Sequence, residues 1–261
     1  MSESLSQVEI PVLRRQHSKS QLESLSADEQ ALFLTVAHIM NEINALLRAA
    51  VWSDNRSSQV QAEGDGQVTL TLLFLRLLAG KLNEAWDVLH DRYFGSALSM
   101  PYDAMLSEDG RAALATLKRY FSHTKNNVTE IRNNYAFHYS PDDMSRVLPL
   151  ISDDLVSYMQ RAGAHNNLFY FAEVVAAEAL FTSIGLPNNS ASLDKLVAEL
   201  IDLAAAFARF FGDVMGAFIE KLGPKAWQDE AKVVEFEQLP KFDDVHIPWF
   251  TDGSELNARA G

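Results

Sequence analysis

Near the C-terminal end of this 261-residue chain, Leu196, Leu200, Leu203, Phe207, Phe210, Phe211, Val214 and Phe218 recur at three- and four-residue steps. That interval keeps side chains on one side of an α-helix. Asp194, Glu199, Asp202, Asp213 and Glu220 fall between them. The pattern predicts a long helix over 192–222 with a dry face and a wet face. Such a helix must find partner helices to cover its dry face, and its acids exclude a membrane span.

The rest of the chain supplies those partners. Leu32, Val36, Ile39, Ile43, Leu46 and Leu47 repeat at helical spacing over 27–51, with Asp28 and Glu29 in the first turn, where carboxylates favour the exposed amides. Residues 53–67 are polar with two glycines and read as a long loop, a flap or excursion. A second helix is expected over 68–94, apolar nearly all round in its first half and therefore central. Residues 95–107 read as a connector, with Pro101 holding the residue before it extended. A third helix follows over 108–122, with Leu114, Leu117, Tyr120 and Phe121 inward.

Residues 125–136 read as helix. Ser140 and Pro141 then form a restart, serine as N-cap and proline at the first helical position, for a helix reaching about 161. Another apolar helix is expected over 168–184, interrupted only by Glu173 and Glu178. The pair Gly212 and Gly216 suggests a close approach of two helices. Alternating strands and glycine-rich turns are missing from the pattern, so a nucleotide-binding α/β fold is rejected. The expectation is an all-α bundle of about six or seven helices with an irregular aromatic C-terminal tail. Residues 1–26 read as a flexible N-terminal tail, 27–222 as the bundle and 223–261 as the tail. The tail carries Trp227, Phe242, Trp249 and Phe250 to pack on the bundle or a partner subunit, and 232–237 reads as one short strand.

Charge and cysteine content narrow the function classes. The net charge of −13 argues against broad coating of nucleic acid or anionic membrane. With no cysteine, disulfides, thiolate nucleophiles and zinc–thiolate sites are excluded. No apolar run suits a secretory signal or a bilayer span, so a cytoplasmic location is expected. Asp87 and His90 make one acid-x-x-His step, whereas a di-iron bundle needs two. No metal and no cofactor are expected. Neither a phosphate-binding glycine loop nor a nucleophile elbow occurs.

The remaining chemistry lies in 128–143. Arg132, Asn133, Asn134 and His138 fall within R-N-N-Y-A-F-H, between apolar helical stretches. On one unbroken helix, positions six apart point about 120° away from each other. Arg132 and His138 can then serve one phosphate only if the helix ends between them or a second subunit intervenes. Positive charge gathers beside them: Lys118, Arg119, Lys125 and Arg132 stand against Glu130 alone over 112–134. From 142 to 220 there are eleven acids and four bases. A cluster of cations in an acidic chain suits a small nucleic-acid cleft.

This segment resembles the HEPN superfamily, helical-bundle proteins marked by an Arg, four to six intervening residues and a His, the Arg often followed by Asn as Asn133 is here. The resemblance covers about residues 27–161. It implies a metal-independent RNA endonuclease of toxin, abortive-infection or CRISPR-defence type, acting as a homodimer that brings Arg and His together, with an antitoxin or regulatory protein as a further partner. On this reading Arg132 holds the phosphate bidentately and His138 moves the 2′-hydroxyl proton, a histidine's ordinary pKa lying near 6.5. Asn133 orients either group, and Lys118, Arg119 and Lys125 hold the RNA backbone. A His-x-Tyr step is common in the toxin branch; here Tyr139 follows His138 directly, and no role passes to it. The alternative is a catalytically inactive HEPN-like binding or scaffold module, with Arg132 in a salt bridge to Glu130 or Asp142 and His138 a packed side chain.

Overall fold

The computed structural model describes residues 12–14, 17–54, 58–161, 165–222, 232–234 and 240–251. Among these, nine α-helices account for nearly all regular structure. The long ones are α2 (Ala27–Ser53), α3 (Gln61–Arg92), α5 (Glu108–Phe121), α8 (Tyr170–Ser183) and α9 (Ser190–Lys221). Shorter pieces are α1 (Lys19–Glu23), α4 (Ser99–Met105), α6 (Asn127–Ile131) and α7 (Pro141–Val147). The fold is an all-α bundle, as the apolar periodicity demands.

The core lies where α2, α3, α5 and α9 meet. Every apolar residue of the expected α9 stripe is buried, from Leu196 through Phe207, Phe210 and Phe211 to Phe218. Phe218 meets the Phe33 ring edge-on at 5.3 Å, and Phe210 meets Tyr93 at 5.6 Å. Each such ring removed from water stabilises the fold by about 1.5–3 kcal/mol. The acids of α9 are not all on a wet face. Asp213 accepts from Ser107 N at 2.8 Å and Ser107 Oγ at 2.6 Å, joining the start of α5 to α9. Glu199 accepts from the Tyr120 hydroxyl and from Asn127 Nδ2 at 2.8 Å, fixing the α5–α6 corner.

Four local expectations are corrected. Residues 61–67 are the first two turns of α3 rather than loop. Their support is tertiary: Gln67 Nε2 donates to the carbonyl of Ile247 at 3.0 Å, so distant chain overrides weak local propensity. Within the supposed connector, α4 carries Pro101 in its first turn, where the missing N–H costs nothing. Its Tyr102 is buried and donates to Glu29 Oε1 at 2.7 Å. The helix begun at Pro141 ends at Val147, with a 3-10 turn Leu148–Leu150 and irregular chain beyond. Pro149 lacks the amide that another helical turn requires. Finally, a Cβ at Gly212 or Gly216 meets nothing within 4 Å, so this pair marks no close helix approach.

The terminal segments reach back onto the bundle. Strand β1 (Val12–Arg14) pairs antiparallel with β2 (Lys232–Val234), Leu13 opposite Val233. This places a strand and α1 in the stretch that reads as a flexible tail. Phe242 lies against Trp52 at 5.6 Å, and Phe250 against Tyr158 at 6.1 Å. Trp249 covers Gly66 of α3 so closely that a Cβ there would lie 2.5 Å from the Trp249 Cβ. Trp227 and the second half of the 232–237 stretch lie outside the described residues.

Candidate functional site

The Arg132–His138 segment lies along α3 and runs antiparallel to it. Thr129 Oγ1 donates to Asn83 Oδ1 at 2.9 Å. Three residues on, Arg132 Nε and Nη2 both donate to Glu84 Oε1, at 3.1 and 2.8 Å. Ala136 and Phe137 then sit over Gly80, where a Cβ would lie 2.6 Å from the Phe137 ring and 3.0 Å from the Ala136 Cβ. Only a residue without a side chain allows that approach. His138 and Tyr139 line a groove together with Thr69, Leu73 and Arg76, further back along α3.

Helical backbone does end between Arg132 and His138, at Phe137. After Ile131 the backbone widens into a π-helical turn, Arg132–Ala136, and leaves helical geometry at Phe137 (φ −125, ψ 2). Turns of this kind are uncommon and cluster at functional sites. Tyr135 locks the turn from behind. It is buried, and its hydroxyl lies 3.1 Å from the Ala179 carbonyl and 3.3 Å from Asp143 Oδ2. Burial pushes its pKa up. Ser140 does not cap α7 through a backbone amide; its hydroxyl donates to Asp143 instead.

Arg132 is paired with Glu84, not with Glu130 or Asp142. Glu130 is taken by Asn134 Nδ2 at 2.8 Å. Arg132 Nη1 reaches Asn133 Oδ1 at 3.2 Å, so Arg132 and Asn133 are together. The Glu84 hydrogen bond raises the Arg132 pKa further above its ordinary value. Asp87 lies on the same stretch of α3. Burial raises its pKa, the Glu84 charge adds to this, and Arg132 opposes it.

His138 is exposed, and among the described residues no hydrogen bond or ion pair engages its ring. It is not packed and satisfied. Arg132 does not line the groove that His138 lines. Arg132 is held by Glu84 outside that groove. Lys118, Arg119 and Lys125 are exposed on the α5–α6 side, none of them in the groove. Lys118 Nζ sits 4.7 Å above the Phe94 ring.

The groove around His138 encloses about 470 Å³ between α3, α8, the motif segment and Trp249. Leu73, Met144, Ala172 and Ala176 give it apolar walls, and Arg76 and Glu173 supply charge. Arg76 Nη2 lies 3.8 Å from Glu173 Oε2, beyond hydrogen-bond range. Sequence reasoning assigned neither residue a role. Their signal is that each is a charge interrupting an otherwise apolar helical stretch.

Among the described residues no group of three or more His, Asp or Glu side chains is placed to hold a metal ion. His90 Nδ1 pairs with Asp91 at 3.1 Å, whereas Asp87 accepts from Asn83 Nδ2 at 2.9 Å, so the acid-x-x-His step does not act as one unit. No helix among the described residues is long and apolar enough to cross a membrane. The fold defines an all-α bundle carrying an accessible Arg and His at the two sides of a π-helical turn. Comparisons with protein-family models, with curated proteins and with solved structures find no match.

Proposed function

We propose that this chain is a HEPN-like, metal-independent RNA endonuclease that works as a cytoplasmic homodimer in a defence or toxin role. The observation carrying this reading is the π-helical turn with Arg132 at its start and His138 just beyond its end. Both are solvent-accessible, and the His138 ring is without partners among the described residues. An imidazole in that condition is free to move a proton.

On this reading His138 takes the 2′-hydroxyl proton. The 2′-oxygen bonds to phosphorus as the bond to the 5′-oxygen breaks, and a proton returns to the leaving oxygen. Arg132 stabilises charge on the non-bridging oxygens. Because Arg132 is held by Glu84 outside the groove that His138 lines, the composite site pairs Arg132 of one copy with His138 of the other. Asn133 orients Arg132 through its side-chain oxygen, 3.2 Å from Nη1. Lys118, Arg119 and Lys125 extend positive charge along the backbone path. An antitoxin or regulator covering this face belongs to the same reading.

The second reading is a noncatalytic HEPN-like binding or scaffold module. The Arg132–Glu84 pair favours it, since a guanidinium already engaged by a carboxylate is partly spent. One assay separates the two. Purified protein in EDTA is offered RNA and DNA of identical sequence. RNA-only cleavage, lost in Arg132→Ala and in His138→Ala, supports the endonuclease. Equal inertness of wild type and both variants supports the scaffold.

A further inference from the structure

The groove behind His138 has a chemistry of its own. Its size falls within the range of small-ligand sites. Leu73, Met144, Ala172 and Ala176 give it aliphatic lining, and Trp249 lines it too. Arg76 and Glu173 stand side by side in its lining, their side chains 20% and 29% exposed. At 3.8 Å they attract without hydrogen bonding, so each keeps unused capacity. Arg76 Nε is shielded from solvent without an acceptor among the described residues.

An apolar slot holding one donor fork beside one carboxylate is selective. A phosphate alone leaves the aliphatic walls unused and meets the Glu173 charge. An aliphatic ligand leaves the Arg76 and Glu173 capacity unmet. A flat heterocycle with a ring acceptor next to an exocyclic amine satisfies both. Cytosine and adenine have that edge; uracil presents a carbonyl where the amine would be. Carboxylate acceptance from such an amine is an established mode of base discrimination. The lining includes His138 and Tyr139, so a phosphate attached to the seated nucleotide comes out beside the imidazole.

We propose that this groove is a nucleotide subsite that seats an amino-bearing base, cytosine or adenine, of a single-stranded RNA. Arg76 donates to the ring acceptor, Glu173 accepts from the exocyclic amine, and the attached phosphate lies at His138. The assignment of RNA rests on the endonuclease reading; the base recognition rests on the groove.

The test is calorimetric titration of the full chain with cytidine, adenosine and uridine 3′-monophosphates and with inorganic phosphate. Cytidine or adenosine monophosphate is expected to bind about tenfold more tightly than uridine monophosphate, from the usual energy of one base contact. Inorganic phosphate is expected to bind far more weakly than either. Glu173→Gln should remove the preference, and Leu73→Trp, which fills the groove from a partly exposed position, should abolish binding with an unchanged helical circular-dichroism spectrum. Uridine binding as tight as cytidine, or normal binding by a folded Leu73→Trp variant, overturns the proposal. RNA cleavage by a wild type that binds none of the nucleotides sinks the subsite and leaves the endonuclease reading. Selective nucleotide binding without RNA cleavage does the reverse.

Discussion

Arg132 and Glu84 form a side-on pair in which one carboxylate oxygen accepts from two nitrogens of the same guanidinium, at 2.8 and 3.1 Å. The side chains are 37% and 46% exposed, so water screens the charges and the pair contributes no more than about 1 kcal/mol to stability. Its effect is therefore on orientation. Glu84→Ala is expected to lower RNA cleavage about tenfold through kcat while moving the urea midpoint little. Glu84→Gln should recover part of the loss, because its amide oxygen still accepts. A Glu84→Ala enzyme as fast as wild type would remove the positioning role.

Gly80 and Phe137 make the second constraint on the motif. An alanine at 80 gains about 1 kcal/mol of helix propensity. It also places a methyl 2.6 Å from the Phe137 ring and 3.0 Å from the Ala136 Cβ. Phe137 is 49% exposed and can swing outward, so the two effects offset each other. Gly80→Ala is expected to unfold within about 1 kcal/mol of wild type yet to lose most RNA cleavage, because the π-helical turn must shift to clear the methyl. Chemical denaturation and the cleavage assay on one preparation check both halves.

Acid sensitivity should centre on Glu29. This buried carboxylate accepts from Ser26 N at 3.0 Å, Ser26 Oγ at 2.9 Å and the Tyr102 hydroxyl at 2.7 Å, and it pairs with Lys221 of α9. Burial pushes its pKa up, but the hydrogen bonds from Lys221, Tyr102 and Ser26 outweigh that and hold it at about 2. A carboxyl with a lowered folded pKa adds stability that is fully present above its unfolded value near 4.3. That stability is lost as pH falls toward 2, and its size is on the order of 3 kcal/mol. Glu29→Gln should flatten the fall in unfolding free energy between pH 5 and pH 2. It should also cost about 1–3 kcal/mol at pH 7, where the charged acceptor of the Ser26 and Tyr102 hydrogen bonds is lost. An unchanged acid limb in this variant would shift the acid sensitivity to other carboxylates.

What was legible in the sequence is what repeats locally. The α9 stripe and the α2 stripe recur every three or four residues, and that period alone fixes helix, length and buried face. The start of α7 was legible because Pro141 carries its own backbone geometry, whereas α6 covers only Asn127–Ile131 of the expected 125–136. Features set by distant chain were hidden. Residues 61–67 are helical with support from Ile247 and Trp249, Ile247 lying 180 residues from Gln67. The acids Glu199 and Asp213 look solvated by period, yet each is aimed at a hydroxyl on α5 or in the turn before it. Within the motif, spacing marked Arg132 and His138 and left two ways to join them, a helix end or a second subunit; the helical backbone does end at Phe137. The spacing gave no hint of Glu84, because a partner 48 residues upstream on a packed helix leaves no local pattern.

Assembly decides whether Arg132 and His138 act together. Phe137 and Tyr139 flank His138 at 49% and 95% exposure, and on the proposed dimer reading they supply the contact face. Tyr139→Glu should convert a two-chain particle to a single chain in sedimentation, abolish RNA cleavage and leave stability within about 0.5 kcal/mol, as exposed substitutions do. Mixing gives the sharper result. Arg132→Ala and His138→Ala chains, each inactive alone, are unfolded together and refolded. If each site takes its arginine from one copy and its histidine from the other, every mixed dimer carries one intact site and one doubly disabled site. Half the dimers are mixed, so about a quarter of wild-type cleavage should return. Sites built within one chain predict no recovery, since neither chain then contains both groups. Refolded mixtures that form mixed dimers by mass yet stay silent would sink the composite site.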